Sequence, residues 1–117
     1  MLLNLTYLDL STNQIMEIPT NLNQLSNLST LKITNNNIQT IPSELMELTN
    51  LQSLYLSNND IINIPSEIGN LTNLTELYLN SNELTGEIPQ EVCDLIENNI
   101  LNIYNILSGN NLTNNCD

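Results

Sequence analysis

Apolar residues recur along this chain in columns that repeat every 23 residues. The first apolar position of four consecutive units falls at Leu5, Leu28, Leu51 and Leu74. In each unit two more apolar residues follow, and these two are separated by a single residue. This alternation predicts a short strand with one buried face. An Ile-Pro step and apolar residues three or four apart then predict a loose helix or a 3₁₀ turn. A single unit cannot bury its own apolar face, so the pattern indicates a stack of coils.

A column of asparagines keeps the same register as the leucines. We expect these side chains to be buried, because an amide both donates and accepts hydrogen bonds and can satisfy turn groups of stacked coils. A solvent-exposed polar column is the alternative. The column comprises Asn13, Asn36, Asn59 and Asn82.

These columns resemble the leucine-rich repeat family over about residues 2–97. The resemblance rests on four segments, LTYLDLSTNQI at 5–15, LSTLKITNNNI at 28–38, LQSLYLSNNDI at 51–61 and LTELYLNSNEL at 74–84. The fourth unit continues as LTGEIP, which is similar to the plant-type subclass, whereas the first three units are similar to the 23-residue subclass. The resemblance implies an α/β solenoid, a right-handed coil with a short parallel β-sheet on its concave face and loops, 3₁₀ turns or short helices on its convex side.

The pattern divides the chain into repeats over residues 1–97 and a C-terminal cap over 98–117 that holds a partial fifth repeat. A strict register of the cap puts Leu101 and Ile103 in the core. A second register aligns 107–112 with 56–61 and adds Asn110 to the asparagine column, although it requires a four-residue insertion and buries Asn105. We prefer the second register, and both predict a weak fifth strand.

The N-terminal end carries no polar segment ahead of its first repeat. The leucines of that repeat, and strand 7–11, would therefore form an exposed edge. Two expectations follow: the chain is a fragment of a longer solenoid, or this edge supports self-association with another subunit.

Both cysteines, Cys93 and Cys116, lie near the C-terminus. Their placement resembles the cysteine-bearing C-terminal caps of secreted leucine-rich repeat proteins, which implies a disulfide; two reduced thiols are the alternative. A bridged pair indicates an extracellular or cell-surface protein, and a reduced pair a cytoplasmic one.

The composition disfavours several classes of function. The chain has one basic residue, 13 acidic residues and no histidine, for a net charge of −12. Missing histidine removes the usual general base and metal ligand, and one cation cannot neutralise a nucleic-acid backbone. No apolar run is long enough for direct membrane insertion, and no cofactor or metal motif is present. We therefore predict a protein that is not an enzyme.

Residues between the strand leucines should face outward on the concave sheet. Tyr55 and Tyr78 should be neighbours on adjacent strands, about 5 Å apart. Tyrosine is a common anchor of binding interfaces, so we predict recognition of a protein or peptide there, by part of a receptor, surface or signalling protein. Adsorption to ice or carbohydrate, or a purely structural spacer, is the alternative. The predicted contact residues are Tyr7, Asp9, Lys32, Tyr55, Glu76 and Tyr78.

Overall fold

Each 23-residue unit contributes one short strand to a parallel sheet. The computed structural model describes residues 4–117, so the first three residues of the predicted repeat region lie outside the described range. The strands pair in chain order, and the register advances by one repeat at each step, as in Tyr7 opposite Thr30. The fold is the predicted right-handed solenoid, as expected when parallel strands are joined by crossovers. Its strands are β1 (Tyr7–Asp9), β2 (Thr30–Lys32), β3 (Ser53–Tyr55) and β4 (Glu76–Tyr78).

The convex side consists of short helical segments, each of which begins directly after a proline. Proline suits this position because its fixed φ angle leads into the helix and its missing N–H is not needed there. The first three coils contain 3₁₀ helices, and the longer fourth coil contains the α-helix α1 (Gln90–Asn99), whose C-cap residue Ile100 adopts a left-handed conformation. The helices are Thr20–Gln24, Ser43–Glu47, Ser66–Asn70 and α1 (Gln90–Asn99), preceded by Pro19, Pro42, Pro65 and Pro89.

The leucine columns fill the space between the sheet and the convex helices. Leu28 and Leu51 are fully buried, and Leu74 is 1% exposed. Leu5 and Leu8 of the first coil are only partly buried, because within the described residues another coil packs against this coil on one side only. Self-association through this side of β1 stays a prediction.

The sheet ends at β4, and the cap differs from the prediction. In place of a fifth strand, a short helix α2 (Tyr104–Leu107) lies beside β4, and the Asn105 carbonyl accepts a hydrogen bond from Leu79 N at 2.9 Å. The four-residue insertion is taken up as this helical turn, which buries Ile106 completely and leaves Asn105 half-exposed.

The cap also forms a second, two-stranded sheet. Strand β5 (Thr85–Glu87) pairs in parallel with β6 (Asn111–Thr113), and Asn115 holds both backbone polar groups of Ile88. The disulfide implied by the resemblance is present, joining Cys93 of α1 to Cys116 with 5.4 Å between the Cα atoms. The last coil and the cap are therefore joined by the disulfide on the convex side as well as by the β5–β6 sheet.

Candidate interaction surface

The asparagine column forms a hydrogen-bonded ladder that connects neighbouring coils. Asn36, Asn59 and Asn82 are 7%, 6% and 7% exposed. Asn59 is typical: its Oδ1 accepts a hydrogen bond from Ile38 N at 3.0 Å, and its Nδ2 donates to Ile33 O at 2.9 Å. Each rung therefore satisfies both a donor and an acceptor of the preceding coil, and fixes the turn that leaves the sheet.

The two ends of the ladder differ from its centre. Asn13 is exposed, and its Nδ2 donates only to Leu10 O and Ser11 O within its own coil. Asn110 is half-exposed and repeats the central pattern, accepting from Leu84 N at 3.1 Å and donating to Leu79 O at 2.8 Å. Asn110 thus occupies a rung, as the second register of the cap requires, whereas the expected burial of Asn13 does not occur, because no earlier coil packs against it in the described residues.

The residue before each rung adopts a left-handed backbone conformation. Asparagine and glycine tolerate this conformation best, and the column contains both, which is the signal that the sequence analysis missed. At Gly109 a Cβ atom would lie 2.9 Å from the Cα atom of Ser81, so the close approach requires glycine there. The column consists of Thr12 (φ 60°), Asn35 (58°), Asn58 (55°), Ser81 (59°) and Gly109 (69°).

A second asparagine column lies where the chain enters each strand, and it was also missed. The Asn50 amide donates to Ser26 O at 2.8 Å, and the Asn73 amide to Thr49 O at 2.8 Å. Neighbouring coils are thus joined by side-chain hydrogen bonds both where the chain enters the sheet and where it leaves it. The signal was the spacing of Asn4, Asn27, Asn50 and Asn73.

Four side chains follow one another across the concave face and form what we call the tyrosine row: Tyr7, Lys32, Tyr55 and Tyr78. The rings of Tyr55 and Tyr78 stack with 4.6 Å between their centroids and 14° between their planes. The Lys32 Nζ atom lies 5.4 Å from the Tyr7 centroid and 4.9 Å from the Tyr55 centroid. The only basic residue of the chain is therefore held between two aromatic rings, an arrangement favoured by cation–π attraction.

Glu76 anchors the centre of this row. Its Oε2 atom accepts a hydrogen bond from the Tyr55 hydroxyl at 2.6 Å, and its Oε1 atom accepts one from Ser53 Oγ at 3.3 Å. The hydrogen bond to Glu76, followed by burial, raises the pKa of Tyr55 to about 12. The Tyr55 phenol therefore stays protonated at pH values well above the usual tyrosine pKa of about 10. While it is protonated, it keeps the hydrogen bond to Glu76 that orients its ring.

Lys32 and Asp9 have separate partners. A hydrogen bond with the Tyr7 side chain is the main cause that raises the pKa of Lys32. Asp9 instead accepts a hydrogen bond from Ser11 N at 2.9 Å, and hydrogen bonds from Ser11 are the main cause that lowers its pKa. Of the predicted contact residues, five lie together in or beside the row. Asp9 lies opposite Lys32 in the strand register, but its side chain is hydrogen-bonded to Ser11 N.

The arrangement offers aromatic area and hydrogen-bonding groups on the concave face. In the described part of the chain, no group of His, Cys, Asp and Glu residues could hold a metal ion. No helix between residues 4 and 117 combines the length and the apolar character that crossing a bilayer requires.

A family model described as a leucine-rich repeat region matches residues 1–116. The chain belongs to the leucine-rich repeat family. No curated protein sequence matches it. Among solved leucine-rich repeat structures, the BIR2 ectodomain from Arabidopsis thaliana is 31% identical, with a TM-score of 0.78 and coverage of 94% of this chain and 57% of that one.

Two further solved structures of leucine-rich repeat proteins are similar to this chain. A leucine-rich repeat protein from Leptospira interrogans is 28% identical, with a TM-score of 0.75 and coverage of 94% of this chain and 38% of that one. The ectodomain of the Arabidopsis thaliana membrane receptor kinase GASSHO1/SCHENGEN3, in complex with Casparian strip integrity factor 2, is 38% identical, with a TM-score of 0.75 and coverage of 93% and 13%. The chain spans between 13% and 57% of the length of these three structures.

Proposed function

We propose that this chain is a non-catalytic module that binds a protein or peptide partner on the tyrosine row of its concave sheet. The observation that carries the proposal is the continuous contact from Tyr7 through Lys32 and Tyr55 to Tyr78. Such a row offers a large contact area, and because its side chains are already packed against one another, little side-chain entropy remains to be lost on binding.

The module is part of a receptor, surface or signalling protein in this proposal. The similar ectodomain that was crystallised with Casparian strip integrity factor 2 supports a role in ligand recognition. The Cys93–Cys116 disulfide supports an oxidising compartment, and therefore an extracellular or cell-surface location.

Removal of the stacked tyrosine pair tests the proposal. The double variant Tyr55→Ala and Tyr78→Ala should weaken partner binding by more than about 1 kcal/mol, because it removes the centre of the row. A matched control is the double variant Met16→Ala and Ile62→Ala, which removes two exposed apolar side chains outside the row, 69% and 53% exposed. Unchanged affinity in the tyrosine variant, with an unchanged circular dichroism spectrum, would refute the proposal.

A second candidate, adsorption to ice or a carbohydrate, is favoured by a different part of the surface. Two exposed columns before the strands contain hydroxyl and amide side chains and no charge. The hydrogen bonds that Asn50 and Asn73 donate to the preceding coil hold part of these columns in place. Thermal hysteresis, or retention on an insoluble polysaccharide, that is lost in Thr49→Glu and kept in Tyr78→Ala would favour this candidate. The columns are Ser26, Thr49 and Thr72, and Asn27, Asn50 and Asn73.

A further inference from the structure

The hydrogen bonds within the concave face leave a pair of donors for a partner at β4. Both carboxylate oxygens of Glu76 already accept hydrogen bonds, from Ser53 Oγ and from the Tyr55 hydroxyl. We infer that the partner places a main-chain carbonyl oxygen against the side-chain amide nitrogen of Asn80, beside the hydroxyl of Tyr78. This inference rests on the proposed function and specifies which chemical group of the partner is recognised.

The side-chain amide of Asn80 is oriented by Ser57. Its Oδ1 atom accepts a hydrogen bond from Ser57 Oγ at 2.5 Å, a distance typical of an O–H···O contact and shorter than the usual N–H···O contact. The amide oxygen is therefore the atom that faces Ser57. The Nδ2 atom, which carries two N–H donors, points away from this contact.

Two donors of this part of the face are unpaired and accessible. Asn80 Nδ2 and the Tyr78 hydroxyl make no hydrogen bond to another side chain or to the backbone of residues 4–117, and both residues are partly buried. Within that range, no buried side-chain nitrogen or oxygen lacks a hydrogen-bond partner. Both atoms therefore reach solvent, although α2 packs beside β4.

The two donors lie on the same face of the sheet. Leu77 and Leu79 are buried, whereas Tyr78 and Asn80 are partly exposed, so the alternation of the strand continues to residue 80. The two partly exposed residues lie about 6–7 Å apart along the chain. Alternate carbonyls of an extended peptide point to the same side and recur at the same interval. One extended segment can thus present a carbonyl to each donor.

The charge of the surroundings favours a neutral acceptor. A carboxylate of the partner would be repelled by Glu76, two residues before Tyr78, and by the net charge of −12. A main-chain carbonyl carries no net charge, and every residue of a peptide supplies one. The contact therefore recognises the backbone of the partner rather than one of its side chains.

A peptide selected on the native chain serves as the probe. Random nonapeptides displayed on phage are enriched on the native protein and counter-selected on the double variant Tyr55→Ala and Tyr78→Ala. One enriched peptide is then synthesised with each amide replaced in turn by an ester, whose carbonyl is a weaker acceptor. Replacement of the amide that faces Asn80 should weaken binding about fivefold, as expected for one hydrogen bond.

Three variants assign the effect to Asn80. Asn80→Asp keeps the acceptor for Ser57 Oγ and removes both N–H donors, so it should weaken binding of the all-amide peptide about tenfold and abolish the ester effect. Tyr78→Phe keeps the stacked ring and should weaken binding about threefold. The matched control, Asn70→Asp, makes the same change at the exposed end of the convex helix Ser66–Asn70 and should leave the affinity unchanged.

The outcomes distinguish the inference from the proposed function. Tighter binding to Asn80→Asp would overturn the inference, because the partner would then present a donor or a cation. Equal losses in Asn80→Asp and Asn70→Asp, or an ester effect that persists in Asn80→Asp at every position, would also overturn it and leave the proposed function standing. If no peptide is enriched on the native chain over the double tyrosine variant, both fail together.

Discussion

Replacement of a central rung of the asparagine ladder should destabilise the protein far more than the same replacement at the end of the ladder. Asn59→Ala removes the acceptor of Ile38 N, a backbone group in a fully buried residue. It also removes the donor to Ile33 O at 2.9 Å and to Leu56 O at 3.1 Å. Those two carbonyls keep other donors, from Asn36 and Asn82, so the uncompensated loss falls mainly on the Ile38 N–H.

The expected cost follows from these contacts. A buried donor without a partner costs about 1–3 kcal/mol, and each lost hydrogen bond contributes about 1 kcal/mol. Asn59→Ala should therefore lower the free energy of unfolding by about 2–4 kcal/mol. Asn13→Ala should cost less than about 1 kcal/mol, because Asn13 is exposed and its two bonds to Leu10 O and Ser11 O lie at the surface.

Urea unfolding, followed by circular dichroism, measures both values from the shift in midpoint at constant m-value. The two variants carry the same chemical change at equivalent positions of two coils, so helix and strand propensities cancel in the comparison. Equal losses of stability, or a loss below about 1 kcal/mol for Asn59→Ala, would refute the claim that the ladder holds the coils together.

Three more predictions concern the row, the left-handed column and the cap. A pH titration of tyrosinate absorbance should find one of the four tyrosines ionising near pH 12, because the Tyr55 pKa is raised to about 12 mainly by Glu76. Because folding stabilises the neutral phenol, its contribution to the free energy of unfolding is present below about pH 10 and is lost between about pH 10 and 12. Glu76→Ala should return the Tyr55 pKa to the usual tyrosine range, and a native protein with no tyrosine titrating near pH 12 would contradict the contact. Thr12→Asn should raise stability by about 1 kcal/mol in urea unfolding, because Thr12 is β-branched at a φ of 60°; a similar gain from Thr49→Asn, outside the left-handed column, would contradict this reason. Replacement of Cys93 and Cys116 by serine should cost on the order of 3 kcal/mol in the same assay, since the bridge closes a loop with a separation of 23 residues; reductant should destabilise the native chain and leave the serine variant unchanged.

The repeat period made much of the fold predictable. A spacing of 23 residues carries each strand position onto its neighbour, so the pairing of Tyr55 with Tyr78 follows from the sequence alone. The Cys93–Cys116 disulfide was predicted only from the resemblance of the cap to known cysteine-bearing caps, and the sequence alone left two reduced thiols open.

Other features depend on packing that the columns do not encode. The insertion in the cap was recognised, but its length does not distinguish an extended strand from the helical turn at 104–107. The position of Lys32 between Tyr7 and Tyr55, rather than against Asp9, depends on side-chain rotamers and on the hydrogen bond that occupies Asp9. Periodicity thus predicts which residues are neighbours, and side-chain packing decides which of those neighbours bind each other.

The most direct test of the proposed binding surface is site-specific photo-crosslinking from the two sides of the solenoid. Tyr78→p-benzoylphenylalanine carries the probe on the concave sheet, and Glu67→p-benzoylphenylalanine carries it on the convex helix. Both proteins are mixed with a partner that the native chain binds, and the crosslinked product is quantified after illumination. Our account predicts efficient crosslinking from position 78 and little from position 67; efficient crosslinking from position 67 alone would contradict it.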